Sequence, residues 1–146
     1  MEKLAHLIQE YIGFAEGLRT ETASVMSVLG FRDREIYHPE HTNFYENVKK
    51  WTEDFLQQSP SQQQRMQALD ILLFAAAGRE KSAAYWYLMA VQKHGAELIN
   101  GLEPENKLAL REKFCSAYPT NIQTGVQKEL RKLMGPEPKK KWGFFF

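Results

Sequence analysis

The sequence predicts an all-α protein, a single compact domain of about six helices arranged as antiparallel hairpins. First, residues 66–99 contain two long apolar runs, 69–77 and 83–91, of which the first is interrupted only by Asp70. Helices that are apolar on all sides are normally buried, so these runs indicate a central pair. Second, apolar residues elsewhere recur at spacings of three and four, which is typical of amphipathic helices. Third, no segment shows the period-two alternation of a half-buried strand.

The first predicted helix runs from Glu2 to about Leu18. Its inward stripe is formed by seven apolar side chains, Leu4, Leu7, Ile8, Tyr11, Ile12, Ala15 and Leu18. The same periodicity resumes from Thr22 to Leu29, so the sequence leaves two alternatives: one long helix that bends near Gly17, or two short helices. Residues 31–41 form a connection, and a second helix runs from Thr42 to about Gln57. The inward face of this helix carries Phe44, Tyr45, Val48, Trp51, Phe55 and Leu56.

The boundaries of the later helices follow from capping residues, prolines and glycines. Ser59, Pro60 and Gln62 have the spacing of a capping box and predict the start of a third helix, which ends at Ala77 before Gly78. The fourth helix covers residues 82–100 and stops at Gly101. A fifth runs from Pro104 to Ala117, with Leu108, Leu110, Phe114 and Cys115 partly inward. A sixth begins at a second capping box, Thr120 with Gln123, is lined by Ile122, Val126, Leu130 and Leu133, and ends at Gly135.

Length and composition restrict the class of protein. A chain of 146 residues fits one domain with its own core, and we place the helical domain at residues 1–135 and a C-terminal tail at residues 136–146. Neither apolar run reaches the roughly eighteen uncharged residues of a membrane span. Cys115 is the single cysteine, so no disulfide framework can form within the chain, and the first residues lack the pattern of a secretory signal. We therefore expect a cytoplasmic protein.

The charge is nearly balanced overall but divided between the two halves. The net charge is +1, which argues against a protein built mainly to hold nucleic acid by its phosphates. Residues 1–80 hold eight Lys and Arg against twelve Asp and Glu, a net charge of −4, whereas residues 81–146 hold eleven against six, a net charge of +5. This division either steers a charged partner or helps the two halves attract each other.

The connection before the second helix contains a candidate metal site. His38, Glu40 and His41 lie within four residues, and imidazole nitrogens and carboxylate oxygens both suit zinc or a similar divalent ion. The spacing differs from the helical motif in which two histidines at i and i+4 share one face. A turn and helix cap is the alternative interpretation of the same residues.

The fourth helix carries a candidate ligand site formed by Tyr85, Trp86 and His94. Consecutive helical residues point about 100° apart, so Tyr85 and Trp86 face different neighbours, as expected for a central helix. Buried Tyr and Trp need partners for their polar atoms, and the candidate partners are Arg79, Glu80, Gln92, His94 and Glu97. The sequence therefore leaves two alternatives, ordinary core packing or a small-ligand pocket between helices. Cys115 has no neighbouring base in the sequence and is predicted to be structural.

The tail is the candidate partner-binding segment. It carries three lysines and four aromatic residues, namely Lys139, Lys140, Lys141, Trp142, Phe144, Phe145 and Phe146. This composition suits an anionic membrane surface, where lysines meet head groups and aromatics enter the interface. It suits equally an aromatic anchor in a groove of another protein, of a second copy in a homodimer, or of its own domain. Adjacent rather than interleaved aromatics make nucleic acid the weaker option.

These features favour a non-enzymatic protein-binding module, such as an adaptor, an inhibitor or a toxin-immunity protein. The sequence has no glycine-rich phosphate loop, no Gly-x-Ser-x-Gly elbow, no Cys-x-x-Cys pair and no dinucleotide fingerprint, so we predict no catalytic residues and no cofactor. The alternatives are a small-ligand or metal-binding helical protein that uses residues 38–41, and peripheral membrane attachment through the tail.

Overall fold

The computed structural model describes residues 1–24, 39–75, 90–123 and 125–135, with only the backbone described at 18–24, 91 and 92. The described residues form helices and turns and contain no strand. Six α-helices are present in this part of the chain, and they form a compact arrangement. The predicted all-α fold is therefore confirmed.

Helix α1 spans Glu2–Ser24 and runs through Gly17 as one element, so two short helices do not meet there; residues 25–29 of the predicted continuation lie outside the described residues. Its buried side chains are Leu4, Ile8, Tyr11, Ile12 and Ala15, five of the seven residues of the predicted stripe. Helix α2 spans Pro39–Gln57 and therefore begins three residues before the predicted start at Thr42. Proline suits the first turn of a helix because its missing N–H has no partner there.

Helix α3 spans Gln62–Phe74 and is capped by Ser61 rather than by Ser59. The Gln64 backbone N–H donates to Ser61 Oγ at 3.1 Å, and the Ser61 backbone N–H donates to Gln64 Oε1 at 2.8 Å. The predicted capping box was thus of the right kind but placed two residues too early. Ser59 adopts φ +50°, a left-handed conformation that turns the chain after α2. The predicted end at Ala77 and Gly78 lies outside the described residues.

The described part of the fourth predicted helix begins at Ala90 and contains a π-helical turn, Val91–Gly95, followed by α4, Ala96–Asn100. Helix α5 spans Pro104–Ala117, as predicted. The last segment forms a 3₁₀ turn, Thr120–Ile122, and then α6, Gly125–Leu133.

Two predicted inward residues of these last helices are exposed. The Leu108 side chain on α5 is 45% exposed, and that of Ile122 is 69% exposed. The 3₁₀ turn ends at Ile122, so the following residue, Gln123, turns inward instead and donates from Nε2 to the main-chain oxygen of Tyr118 at 2.7 Å. The predicted capping box at Thr120 and Gln123 is therefore wrong.

Helix α3 lies at the centre of the described packing. It contacts α1, α4, α5 and the π-helical turn, while α2 packs against α1 and the π-helical turn. Helix α6 closes the arrangement against α4, α5 and the same turn. The core is contributed by all of these elements, and its fully buried members include Ile8, Ile12, Val48, Leu69, Leu72, Leu98, Ile99, Phe114 and Leu130.

Candidate functional site

Glu40 and His41 of the predicted metal site lie in the first turn of α2 and have different environments. Glu40 is exposed and accepts a hydrogen bond from Asn43 Nδ2 at 3.2 Å, whereas His41 is buried. No group of three or more His, Cys, Asp or Glu side chains in the described ranges is arranged to hold a metal ion. His38 lies outside the described residues, so the site at His38, Glu40 and His41 stays a prediction.

His41 belongs to a buried aromatic cluster between α1 and α2. Its Nδ1 lies 2.8 Å from the phenol oxygen of Tyr11, and its ring meets the edge of Phe14 with 5.9 Å between centroids. Tyr11 in turn stacks on Phe44 at 4.0 Å. Burial raises the pKa of the Tyr11 phenol, because the charged form loses solvation, so the phenol keeps its proton and can donate it to an unprotonated Nδ1. The pair ties α1 to α2.

His94 lies in the π-helical turn and is the candidate ligand-site residue that the structure describes. Its side chain is 1% exposed, and the ring lies 5.2 Å from that of Tyr45 on α2. Within the described structure, Nε2 is buried without a hydrogen-bond partner. A buried nitrogen that makes no hydrogen bond lowers the free energy of unfolding, so its presence requires an explanation. Tyr85 and Trp86, predicted to join His94, lie outside the described residues.

The environment of His94 keeps its imidazole neutral. Burial, together with the positive charges of Lys93 and Lys49, lowers the pKa of His94 to about 4. A π-helical turn inserts an extra residue into a helix and is frequent at functional sites. The turn and the unpartnered nitrogen together mark this position as a site where a polar ligand atom could be bound.

A surface groove between α3 and α5 is the second candidate site. It encloses about 350 Å³ and is lined by side chains from both helices, namely Gln63, Met66, Gln67, Asp70, Ala109, Leu110 and Lys113. Five of these residues are exposed, so the groove opens to the surface, while Met66 and Leu110 supply its apolar floor. Lys113 forms an ion pair with Asp70 across the groove, and its ammonium also lies 4.7 Å from the centre of the Phe74 ring.

Sequence reasoning missed this groove, although one signal for its α3 wall was present. Asp70 is the one carboxylate within the apolar run 69–77, and such a residue marks the exposed side of a largely buried helix. Which residues of α5 form the other wall depends on how that helix is rotated about its axis. The exposure of Leu108 shows that this rotation differs from the predicted one.

Comparisons with known proteins found no relative of this chain. No family model, curated protein or solved structure matches this chain. The function is therefore inferred from the geometry of the groove, of the buried histidine and of the start of the tail.

Cys115 and the start of the tail at Gly135 are both positioned by α5. Cys115 is half-buried, with Gln123 Nε2 at 4.0 Å from its sulfur. Arg111 donates from Nη1 to the main-chain oxygen of Gly135 at 2.6 Å, which fixes the point where the tail begins. The tail residues Lys139, Lys140, Lys141, Trp142, Phe144, Phe145 and Phe146 lie outside the described residues. Among the described helices, none combines the length and the apolar character needed to cross a membrane.

Proposed function

We propose that this chain is a non-enzymatic protein-binding module of the cytoplasm, of the adaptor, inhibitor or toxin-immunity type. The observation that carries the proposal is the open groove between α3 and α5. Its floor is apolar and its rim holds the amide groups of Gln63 and Gln67 and the Asp70–Lys113 ion pair. An apolar centre surrounded by polar groups is the usual anatomy of a protein interface.

The shape of the groove favours a segment of another protein over a small molecule. The α3 wall is formed by residues at positions 63, 66, 67 and 70, which is one face of two helical turns, and the α5 wall runs beside it. Small-ligand sites bury most of the ligand surface in a concave cavity. A groove with five exposed lining residues fits a helix or an extended strand laid along it.

The proposal is tested by filling the groove. In the full chain, Ala109→Arg places a long cationic side chain on the rim, and Asn47→Arg places the same side chain on the exposed face of α2 as a matched control. Proteins retained by the immobilised wild type are identified by mass spectrometry, and each purified candidate is titrated by calorimetry against all three proteins. We expect Ala109→Arg to weaken binding by at least about tenfold, a loss of about 1.4 kcal/mol, with Asn47→Arg unchanged. Equal binding to all three would remove the groove from the interface.

His94 supports a second candidate function, the binding of a small polar ligand. The supporting observation is its buried Nε2, which has no hydrogen-bond partner among the described residues. Native mass spectrometry of the purified chain is the direct test. A bound small molecule or a stoichiometric divalent ion that is lost in His94→Phe but kept in His6→Phe would favour this function over protein binding, because His6 is exposed on α1. A chain without added mass would leave the first proposal as the better one.

A further inference from the structure

The outer face of α5 carries an unusual stripe. Glu105, Leu108, Ala109 and Glu112 are all exposed, and their spacing of three, four and seven places them side by side along two turns. We call these four residues the α5 stripe. Leu108 is 45% exposed, and neither glutamate forms an ion pair or hydrogen bond within the described structure. The stripe therefore combines an apolar centre with two unpaired negative charges, beside the groove that Ala109 also lines.

The tail starts next to this stripe. Arg111 Nη1 donates to the Gly135 oxygen at 2.6 Å, and Leu108 lies one turn before Arg111 on the same side of α5. Gly135 has φ +101°, which only glycine adopts readily, so the chain turns at the point where α5 holds it. Gly135, the last described residue before the tail, is thus held against α5 one turn from Leu108.

The length and chemistry of the tail match the stripe and the groove. Eleven residues span up to about 36 Å when extended, whereas a 14-residue helix such as α5 is about 21 Å long. Pro136 and Pro138 favour an extended start. Three lysines follow, opposite in charge to Glu105 and Glu112. Four aromatic side chains come last, and these suit the exposed Leu108 and the groove floor at Met66 and Leu110, since methionine sulfur contacts aromatic rings favourably.

We propose that the tail, residues 136–146, folds back over the α5 stripe and lays its aromatic end in the groove between α3 and α5. The lysines pair with Glu105 and Glu112, and the aromatic side chains cover Leu108 and Met66. This inference goes beyond the proposed function, because it names the segment that occupies the groove when no partner is bound. A partner that uses the groove must then displace the tail. The contact is intramolecular and can be measured with no partner present.

The test is site-specific cross-linking in the full chain. Cys115→Ser removes the native thiol, and Ala109→Cys with Phe145→Cys then places one thiol at the groove and one in the tail. The matched control pairs Phe145→Cys with Asn47→Cys on α2, which packs against α1 and the π-helical turn. We expect the 109–145 pair to cross-link within one chain at least about tenfold faster than the 47–145 pair, because docking raises the local thiol concentration.

Three results would overturn the proposal: equal rates for the two pairs, no cross-link at all, or a product that joins two chains. The last would make a second copy the occupant of the groove. The chain-joining product is recognised by its doubled mass on a denaturing gel. None of these results tests whether a different protein binds the groove, so a failure here is distinguishable from a failure of the proposed function.

A charge test separates specific docking from random collapse of the tail. Glu105→Gln with Glu112→Gln removes both charges of the stripe, and Glu53→Gln with Asp54→Asn removes two exposed charges from α2 as the control. In the 109–145 cysteine background we expect the first pair to slow cross-linking several-fold at low salt and the second pair to leave the rate unchanged. Circular dichroism checks that the helices are retained. An unchanged rate in the stripe variant would overturn the lysine–glutamate pairing.

Discussion

The Gln62 side chain at the start of α3 donates a hydrogen bond from Nε2 to the main-chain oxygen of Gly101, 2.9 Å away and 39 positions later in the chain. The Oε1 atom of the same amide accepts from the Glu103 backbone N–H and from Asn106 Nδ2, both at 2.9 Å. Glu103 precedes α5 without a side-chain cap of its own. The Gln62 side chain on α3 therefore accepts hydrogen bonds from a backbone N–H and a side-chain amide at the start of α5. These bonds join the two helices that form the walls of the groove.

Truncation of Gln62 should loosen this junction. Gln62→Ala removes three hydrogen bonds, each worth about 0.5–1.5 kcal/mol net, and leaves the Gly101 oxygen and the two N–H donors to water. We expect the free energy of unfolding to fall by about 2 kcal/mol, measured by urea denaturation. The control is Gln63→Ala, one residue along and exposed, which should change stability by less than about 0.5 kcal/mol. Equal losses in the two variants would contradict a capping role for Gln62.

The capping box at the start of α3 gives a second prediction. Ser61→Ala removes the acceptor of the Gln64 N–H and should lower the free energy of unfolding by about 1 kcal/mol. Urea denaturation of Ser61→Thr, which keeps a hydroxyl, is the matched comparison. This variant should recover most of the loss, and a Thr variant as unstable as the Ala variant would argue against the hydrogen bond as the cause.

Ser59 gives a prediction of the opposite sign. Its φ of +50° is unfavourable for a residue with a Cβ atom, and glycine removes that cost. We expect Ser59→Gly to raise the free energy of unfolding by about 0.5–1 kcal/mol. Thermal unfolding followed by circular dichroism measures the change. Ser61→Gly, at φ −70°, is the control and should show no gain. A gain at both positions would mean that the backbone conformation of Ser59 is not the source.

The helix whose two ends are both marked by a proline was predicted best. Pro104 and Pro119 enclose α5, and its bounds were predicted correctly. The start of α2 was placed too late because the polar residues before Thr42 resemble a loop, and the burial of His41 depends on Tyr11, thirty positions away. Ser59 was predicted as the cap of α3, but Ser61 stands at the same three-residue spacing before Gln64 and is the cap. Ser59 has a left-handed φ of +50° in the turn between α2 and α3, whereas an N-cap needs the extended backbone that Ser61 adopts.

The candidate sites were less predictable than the fold, because each depends on how helices lie against one another. The groove needs α3 and α5 at a particular rotation, and the Gln62 amide sets that rotation through residues 101–106. His94 was named from the sequence as one of several candidate partners for the polar atoms of Tyr85 and Trp86. The sequence could not show that a π-helical turn would carry it or that its Nε2 would lack a partner in the described part of the chain.

His94 makes the free energy of unfolding depend on pH, because its imidazole binds a proton more weakly in the folded chain than in the unfolded chain. In the unfolded chain the imidazole has a pKa of about 6.5, whereas burial next to Lys93 and Lys49 lowers the pKa to about 4 in the folded chain. Between these two values the unfolded state binds more protons than the folded state. The free energy of unfolding contributed by this group is therefore fully present above about pH 6.5 and is lost as the pH falls toward 4.

The corresponding variant is His94→Phe, which keeps an aromatic ring beside Tyr45 and removes the titratable group. Urea denaturation at a series of pH values from 4 to 7 measures the slope, and the difference between wild type and variant isolates the contribution of His94. We expect the wild type to lose about 3 kcal/mol more than the variant across this range. Asn47→Phe, which adds the same ring on the exposed face of α2 and removes no titratable group, is the control and should keep the wild-type slope. If His94→Phe also keeps that slope, the buried imidazole is not the group that titrates, and another group must account for any loss of stability in acid.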